Sequence, residues 1–442
     1  MARPAAPPPQ LADCYVGVKP FERALLALFE HRALPPPTRA PHPSSSAASS
    51  FTAVPWAALH PVLHPLGAGV PAKRAERKCW QLEPLCELVQ ILAEDVRGHR
   101  HWSEPVHVVA FAEGCGSLAL PLAAMLPWAT VTIVELKQRS LDIARARADD
   151  VGLSNVHYHC GDLTQYSEAF DVGVALHACG AASDLVLEAC VRAGARYVVC
   201  PCCTGKISTD RRDWYRFAAT GGNETRVRYP RSRAVADVLD AEAYNFLACA
   251  ADVSDANLLD GARGLLRRLA KLYLEHDRCL WASECGYVTR LTRMPMGRQA
   301  SPKCDILYGW PDAEPLGTRA HAALRPPTED DDYAKAAQLG VGLQCVEVAD
   351  DTEDDGGAPT STAAAPASRL GSALGASEWA PEELREMLAY LEGIGAAAGT
   401  GLEVRASTAR KRRLVHFTAA KLGLHHEARH KAVLVRRVAT ST

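Results

Sequence analysis

Residues 175–203, "ALHACGAASDLVLEACVRAGARYVVCPCC", carry one histidine and five cysteines and end on Pro-Cys-Cys. Imidazole nitrogen and thiolate sulfur serve as metal ligands and nucleophiles, and paired thiols serve in redox chemistry, so three chemistries are open. His177, Cys179, Cys202 and Cys203 together offer the four N/S donors of a tetrahedral zinc site. Cys202 and Cys203 are adjacent, however, and lack the spacer of a chelating C-x-x-C turn. An adjacent pair also closes only a strained disulfide ring. Metal and redox readings are therefore disfavoured, and no metal is expected. His177 as a base for an alcohol acceptor stands level with His177 as a hydrogen-bonded strand-end histidine. Cys190 and Cys200 fall at packing positions.

Upstream, "VHVVAFAEGCGSLALPLAAML" (106–126) sets Gly114 and Gly116 between an apolar run and a helical pattern. Glycine there lets backbone approach a ligand, and the helix N-terminus offers free amides. Glu135 ends the next strand-like run, 19 residues after Gly116, where a carboxylate takes the two ribose hydroxyls of a nucleoside cofactor. The competing reading is an ordinary βα turn beside a surface acid. Leu118 and Ala119 stand where a pyrophosphate loop carries its third glycine, which tilts the expectation to S-adenosylmethionine.

The elements that must position these residues alternate. Strand-like runs at 106–111, 130–135, 155–160, 170–178 and 195–201 are separated by helical patterns at 117–126, 138–150 and 181–193. This repetition predicts an α/β fold, a parallel sheet wrapped by helices. A helix with apolar period begins near residue 71, a long basic amphipathic helix covers 254–282, and the runs 286–294 and 303–311 predict a closing antiparallel hairpin. His177 and Pro201-Cys202-Cys203 follow successive strands, which places them in one crevice above the sheet.

A chain of 442 residues exceeds one ordinary core at about 150 residues per domain. Residues 1–71 are rich in Pro, Ala and Ser and are expected to be mostly disordered, apart from a helix in "FERALLALFEHRAL". The α/β domain follows over 72–345, an acidic then low-complexity linker over 346–378, and a small module over 379–438. The odd count of 15 scattered cysteines without an apolar signal run argues against a secreted disulfide framework. No stretch approaches the ~18 apolar residues of a membrane helix. The expected location is the cytoplasm, with the nucleus, or a plastid reached by a transit peptide, as alternatives.

With these residues in order, the chain resembles the class I S-adenosylmethionine-dependent methyltransferases, which implies a Rossmann-like seven-stranded sheet and that cofactor. "GLSNVHYHCGDLTQYSEAFDVGVALHACGAASDLVLEAC", "VVCPCCTGKI" and "SPKCDILYG" resemble the group with H-A-C-G and P-C-C motifs, to which tRNA ribose 2′-O-methyltransferases and the glutathione S-transferase C-terminal domain-containing proteins belong. The likeness covers about residues 72–311. It implies that Glu113, Gly114, Gly116, Glu135 and Asp162 hold the cofactor, Asp162 beside the adenine. His177, Asp184, Cys202 and Cys203 would line the transfer site, with Pro-Cys-Cys where many methyltransferases carry Asn-Pro-Pro-Tyr. The first motif departs from the pattern: Ala110 and Ala112 replace its acid and first glycine, and Glu113 is read as a displaced acid.

"ARKRRLVHFTAAKLGLHHEARHKAVLVRRV" (409–438) pairs Arg412 with His416 one helical turn apart. It resembles the R3H domain, a single-stranded nucleic-acid binder with a small α/β fold, in which Lys411, Arg412, His416 and Lys431 would neutralise phosphates. The rival is a solvated basic helix face. The expected function is methyl transfer to RNA, tRNA among the substrates; the alternatives are a non-catalytic nucleic-acid-binding adaptor and a protein or small-molecule methyltransferase.

Overall fold

A computed structural model describes residues 20–45, 54–101, 103–207, 227–297 and 301–338, together with strands at 401–405, 425–429 and 432–436. The chain divides into two compact units, Met1–Glu347 and Val348–Thr442.

In the first unit, helix α1 (Pro20–Glu30) opens on proline with Glu22 in its first turn and buries Ala24, Leu25, Leu26 and Leu28. Helix α2 (Ala72–Gly98) precedes an alternation of β1 (Val106–Phe111), α3 (Ala119–Met125), β2 (Ala129–Glu135), α4 (Gln138–Asp149), β3 (Val156–Cys160), β4 (Val172–Leu176), α5 (Ala182–Ala193) and β5 (Arg196–Cys200). Then come α6 (Arg233–Ala236), α7 (Ala241–Ala251), α8 (Gly261–Glu284), β6 (Tyr287–Arg293), β7 (Asp305–Pro311), α9 (Thr318–Ala323) and α10 (Asp331–Gln338). The expected closing hairpin is β6–β7.

The seven strands form one sheet in the order β3-β2-β1-β4-β5-β7-β6. The first five are mutually parallel, and β7 runs antiparallel to both β5 and β6. Strand β1 is central, with Ala110 opposite Ile133 of β2 on one side and Val174 of β4 on the other. Its side chains alternate between faces. Val109 and Phe111 join a core with α1, α5, α7 and α8, whereas Val106, Val108 and Ala110 join one with α2, α3 and α4. The strand order reverses between β1 and β4, and such a reversal opens a crevice outside the strands' carboxyl ends.

The expectation of a mostly disordered 1–71 is corrected for the described part, 20–45 and 54–71. Leu25 and Leu28 are core residues, Thr38–Arg39 pairs antiparallel with Thr328–Glu329, and Arg39 binds Asp305 (2.8 Å) and Asp330 (2.5 Å). Proline and alanine content reads as solvated chain, but these partners lie far along the sequence. Residues 1–19 and 46–53 are outside the described residues.

In the second unit, β8 (Gly401–Arg405), β9 (His425–Arg429) and β10 (Ala432–Arg436) make an antiparallel sheet ordered β8-β10-β9. Lys411, Arg412, His416, Lys431 and the 346–378 linker lie outside the described residues. Among those that are described, no helix is long and apolar enough to cross a membrane.

Candidate active site

Among the described residues, two non-glycine residues have positive φ, Ala112 (51°) and His177 (67°), and each immediately follows a strand bordering the crevice, β1 or β4. Left-handed backbone outside glycine is held against a local cost and concentrates at functional sites. The glycine loop continues from Ala112. Gly114 (φ 74°) has no atom within 4 Å of a would-be Cβ, so its face is open to a ligand. Gly116 is closed: a Cβ there would meet Leu120 Cγ at 2.8 Å and Ala144 Cβ at 3.2 Å. Arg147, buried on α4, braces the loop by donating to the Cys115 carbonyl at 2.6 Å.

Two carboxylates close this loop. Glu135, half-buried at the end of β2, accepts the Gly114 N–H at 3.0 Å through Oε2 and the Lys137 N–H at 3.1 Å through Oε1. A carboxylate has about four acceptor sites, so room for hydroxyl donors remains. Glu113 Oε1 accepts the Leu118 N–H at 2.5 Å, while its Oε2 is buried without a hydrogen-bond partner. Burial pushes the Glu113 carboxyl up to about 7, against the Leu118 N–H and the Lys78 and Arg147 charges that favour ionisation. An orphaned acid oxygen beside an open glycine fits the ammonium of an amino-acid-bearing nucleoside such as S-adenosylmethionine. Asp162, just past β3, uses Oδ1 to accept from the Thr164 N–H (2.9 Å) and hydroxyl (3.0 Å), a turn-capping role.

Across the crevice the loops after β4 and β5 are joined by the Gly180 N–H on the Cys203 carbonyl at 3.0 Å. They bring the Sγ atoms of Cys179, Cys202 and Cys203 within 4.8 Å of one another, with Cys179 and Cys202 3.1 Å apart. Cys203 is held well below the usual thiol range, because the Cys179 and Cys202 thiols hydrogen-bond to its sulfur and the Lys303 ammonium lies 3.5 Å away. Lys303 also pairs with Asp252 at 2.5 Å. Cys190 and Cys200 are buried, at 0% and 1% exposure, as packing residues should be.

His177 begins the same loop with an exposed side chain, and its Nε2 lies 3.0 Å from Gln81 Oε1 on α2. With an amide oxygen accepting there, Nε2 carries the proton and Nδ1 is the accepting nitrogen. The protein mass beneath it, with the Lys78 and Lys303 charges, lowers its pKa to about 4.

Asp184 is corrected. It is fully buried between α5 and α8, where Arg278 donates to both its oxygens at 2.9 Å and the Tyr229 hydroxyl donates at 2.8 Å. It anchors the crevice wall and does not line the crevice. Arg278 also binds Glu275 at 2.8 Å; Glu275 pairs with Lys271, whose ammonium donates to the Pro201 carbonyl at 3.3 Å. A buried ionic chain thus ends on the Pro-Cys-Cys loop.

Lys78, Gln81, Arg147, Asp252, Lys271 and Lys303 were missed in the sequence. Only Lys303 carried a signal, standing in the motif "SPKCDILYG"; the others look like ordinary polar helix or loop positions.

A profile of the methyltransferase domain family matches residues 77–210. The chain is similar to the glutathione S-transferase C-terminal domain-containing protein homolog of Drosophila melanogaster, 34% identical over 258 residues covering 58% of this chain and 40% of that one. Similarity to the Homo sapiens glutathione S-transferase C-terminal domain-containing protein is 32% over 256 residues, covering 58% and 36%. The chain therefore spans about two fifths of the length of these relatives. A SAM-dependent methyltransferase structure from Aquifex aeolicus is 13% identical, with 53% of this chain and 97% of that one covered and a TM-score of 0.26. The family match and the seven-stranded order support a class I methyltransferase domain.

Proposed function

We propose that this methyltransferase domain uses S-adenosylmethionine to methylate RNA, tRNA among the substrates, and that the C-terminal unit holds the RNA. The observation that carries the cofactor reading is the Gly114 N–H on Glu135 at 3.0 Å, which joins glycine loop and strand-end acid at the point where the sheet order reverses. S-adenosylmethionine, when bound, supplies an electrophilic methyl group on sulfur. Glu135 would accept from its ribose hydroxyls, Glu113 would pair with its ammonium, and Asp162 would lie toward its adenine. His177, with Nδ1 as its accepting nitrogen, would take the proton of an acceptor ribose hydroxyl, and the crevice would contribute mainly by holding that hydroxyl in line. Lys411, Arg412, His416 and Lys431 neutralise phosphates, and tethering raises the local substrate concentration.

Calorimetric titration of the full chain and of Glu135→Ala with S-adenosylmethionine tests the cofactor half. Heat for the parent and its loss in the variant is the expected result; no heat for the parent leaves the non-catalytic adaptor reading in its place. For the RNA half, removing 379–442 should abolish methylation of cellular RNA, and binding by the parent should fall steeply with salt, by a log–log slope of about −0.7 per phosphate contacted. Unchanged activity after removal points to a protein or small-molecule acceptor.

A further inference from the structure

We infer that Cys179, Cys202 and Cys203 form a zinc site, three thiolates holding the ion and the fourth position opening to the crevice. The expectation from sequence was no metal, on the ground that Cys202 and Cys203 lack a C-x-x-C turn. The fold supplies what the spacing lacks. Parallel pairing of β4 with β5, Leu176 opposite Cys200, sets the two following loops side by side. The third sulfur therefore arrives from a neighbouring strand.

A tetrahedral zinc with Zn–S near 2.3 Å needs sulfurs about 3.8 Å apart. The Cys179–Cys202 pair at 3.1 Å and the 4.8 Å limit over all three bracket that spacing, so closure takes sub-ångström shifts. Three thiols this close cannot all ionise unaided, since each thiolate raises the cost of the next. A divalent cation lets all three sulfurs bind together as thiolates. Zinc with three thiolates carries a net charge of −1. The Lys303 ammonium, 3.5 Å from Cys203 Sγ and itself fixed by Asp252, balances it in the manner of the outer groups that tune metal ligands. The loop is braced on both sides of the cysteines, by Lys271 on the Pro201 carbonyl (3.3 Å) and by the Thr204 hydroxyl on the Ala248 carbonyl (3.1 Å). Among the described residues, no other group of three potential ligands converges in this way. His177 is not part of it and stays on Gln81.

The test uses the full chain in a non-thiol reductant, titrated with Co²⁺ and then Zn²⁺, without S-adenosylmethionine, so that failure here leaves the methyl-transfer reading untouched. The expected result is one Co²⁺ per chain with intense thiolate-to-cobalt charge-transfer absorption, displaced by Zn²⁺. Cys202→Ser and Cys179→Ser should weaken binding about tenfold or more, Lys303→Met about tenfold with the sulfur bands retained, and Cys285→Ser not at all. On the unmutated protein, Zn²⁺ should protect Cys179, Cys202 and Cys203 from alkylation, read peptide by peptide; this arm does not depend on any variant folding. Absence of charge-transfer bands, or equal alkylation of the three with and without Zn²⁺, overturns the site. A Cys179–Cys202 disulfide that resists the reductant overturns it as well.

Discussion

On the proposed reading, Glu113 makes S-adenosylmethionine binding a proton-linked event. Its carboxyl is held at about 7 instead of 4.5, chiefly by burial. At about 1.36 kcal/mol per pH unit, the site disfavours the ionised acid by roughly 3 kcal/mol. An incoming ammonium requires that ionised form. From the titration alone, about a tenth of the chains are ready at pH 6 and about nine tenths at pH 8, so affinity should rise about tenfold between them. Glu113→Gln is the informative perturbation, because its amide oxygen still accepts the Leu118 N–H while the charge and the titration disappear. The assay is calorimetric titration with S-adenosylmethionine across this range in buffers of different ionisation enthalpy. Any titration of the cofactor's own amino group is common to both proteins and cancels in the ratio of their affinities. The parent should release about half a proton near pH 7 that the variant does not. Parallel pH curves for parent and variant would refute the reasoning. Without cofactor the sign reverses: an acid whose folded pKa is raised contributes stability below about 4.5 that is lost as pH rises through 7, so the parent should weaken relative to Glu113→Gln across that window.

Arg278→Met removes both Arg278 hydrogen bonds to Asp184 and its contact with Glu275, leaving Asp184 with Tyr229 and Arg231 and Glu275 with Lys271, and should cost about 2–3 kcal/mol in urea unfolding; a loss under 1 kcal/mol contradicts the buried-pair assignment. Ala112→Gly relieves a left-handed residue costing about 1–2 kcal/mol, less the added chain entropy of glycine, and should stabilise by about 0.5–1 kcal/mol in thermal melts. At saturating cofactor, the rate should show no acid limb from His177 until pH nears 4, since that imidazole stays neutral above it. A His177-dependent limb near 6.5, removed by His177→Gln, contradicts the depressed pKa.

The seven-stranded sheet and the glycine loop were legible because both are local. Strand and helix periods recur along the chain, and Gly114, Gly116 and Glu135 sit within one strand-turn-helix-strand unit. Asp184 misled because a polar residue in the first turn after a strand end has the sequence signature of a crevice acid. Arg278, 94 residues on, draws it into the core. Arg147 and Lys271 read as solvated helix positions for the same reason, as their acceptors are carbonyls of other elements. Amino-acid order by itself determined the α/β alternation, the glycine loop with its strand-end acid and the presence of thiols at two strand ends. Only tertiary structure decided that three of those thiols meet, that Glu113 keeps an orphaned oxygen at a pKa near 7, and that residues 20–45 pack on the domain. Periodicity is written between neighbours, whereas burial, charge partnership and sulfur–sulfur distance arise between residues that only the folded sheet makes adjacent.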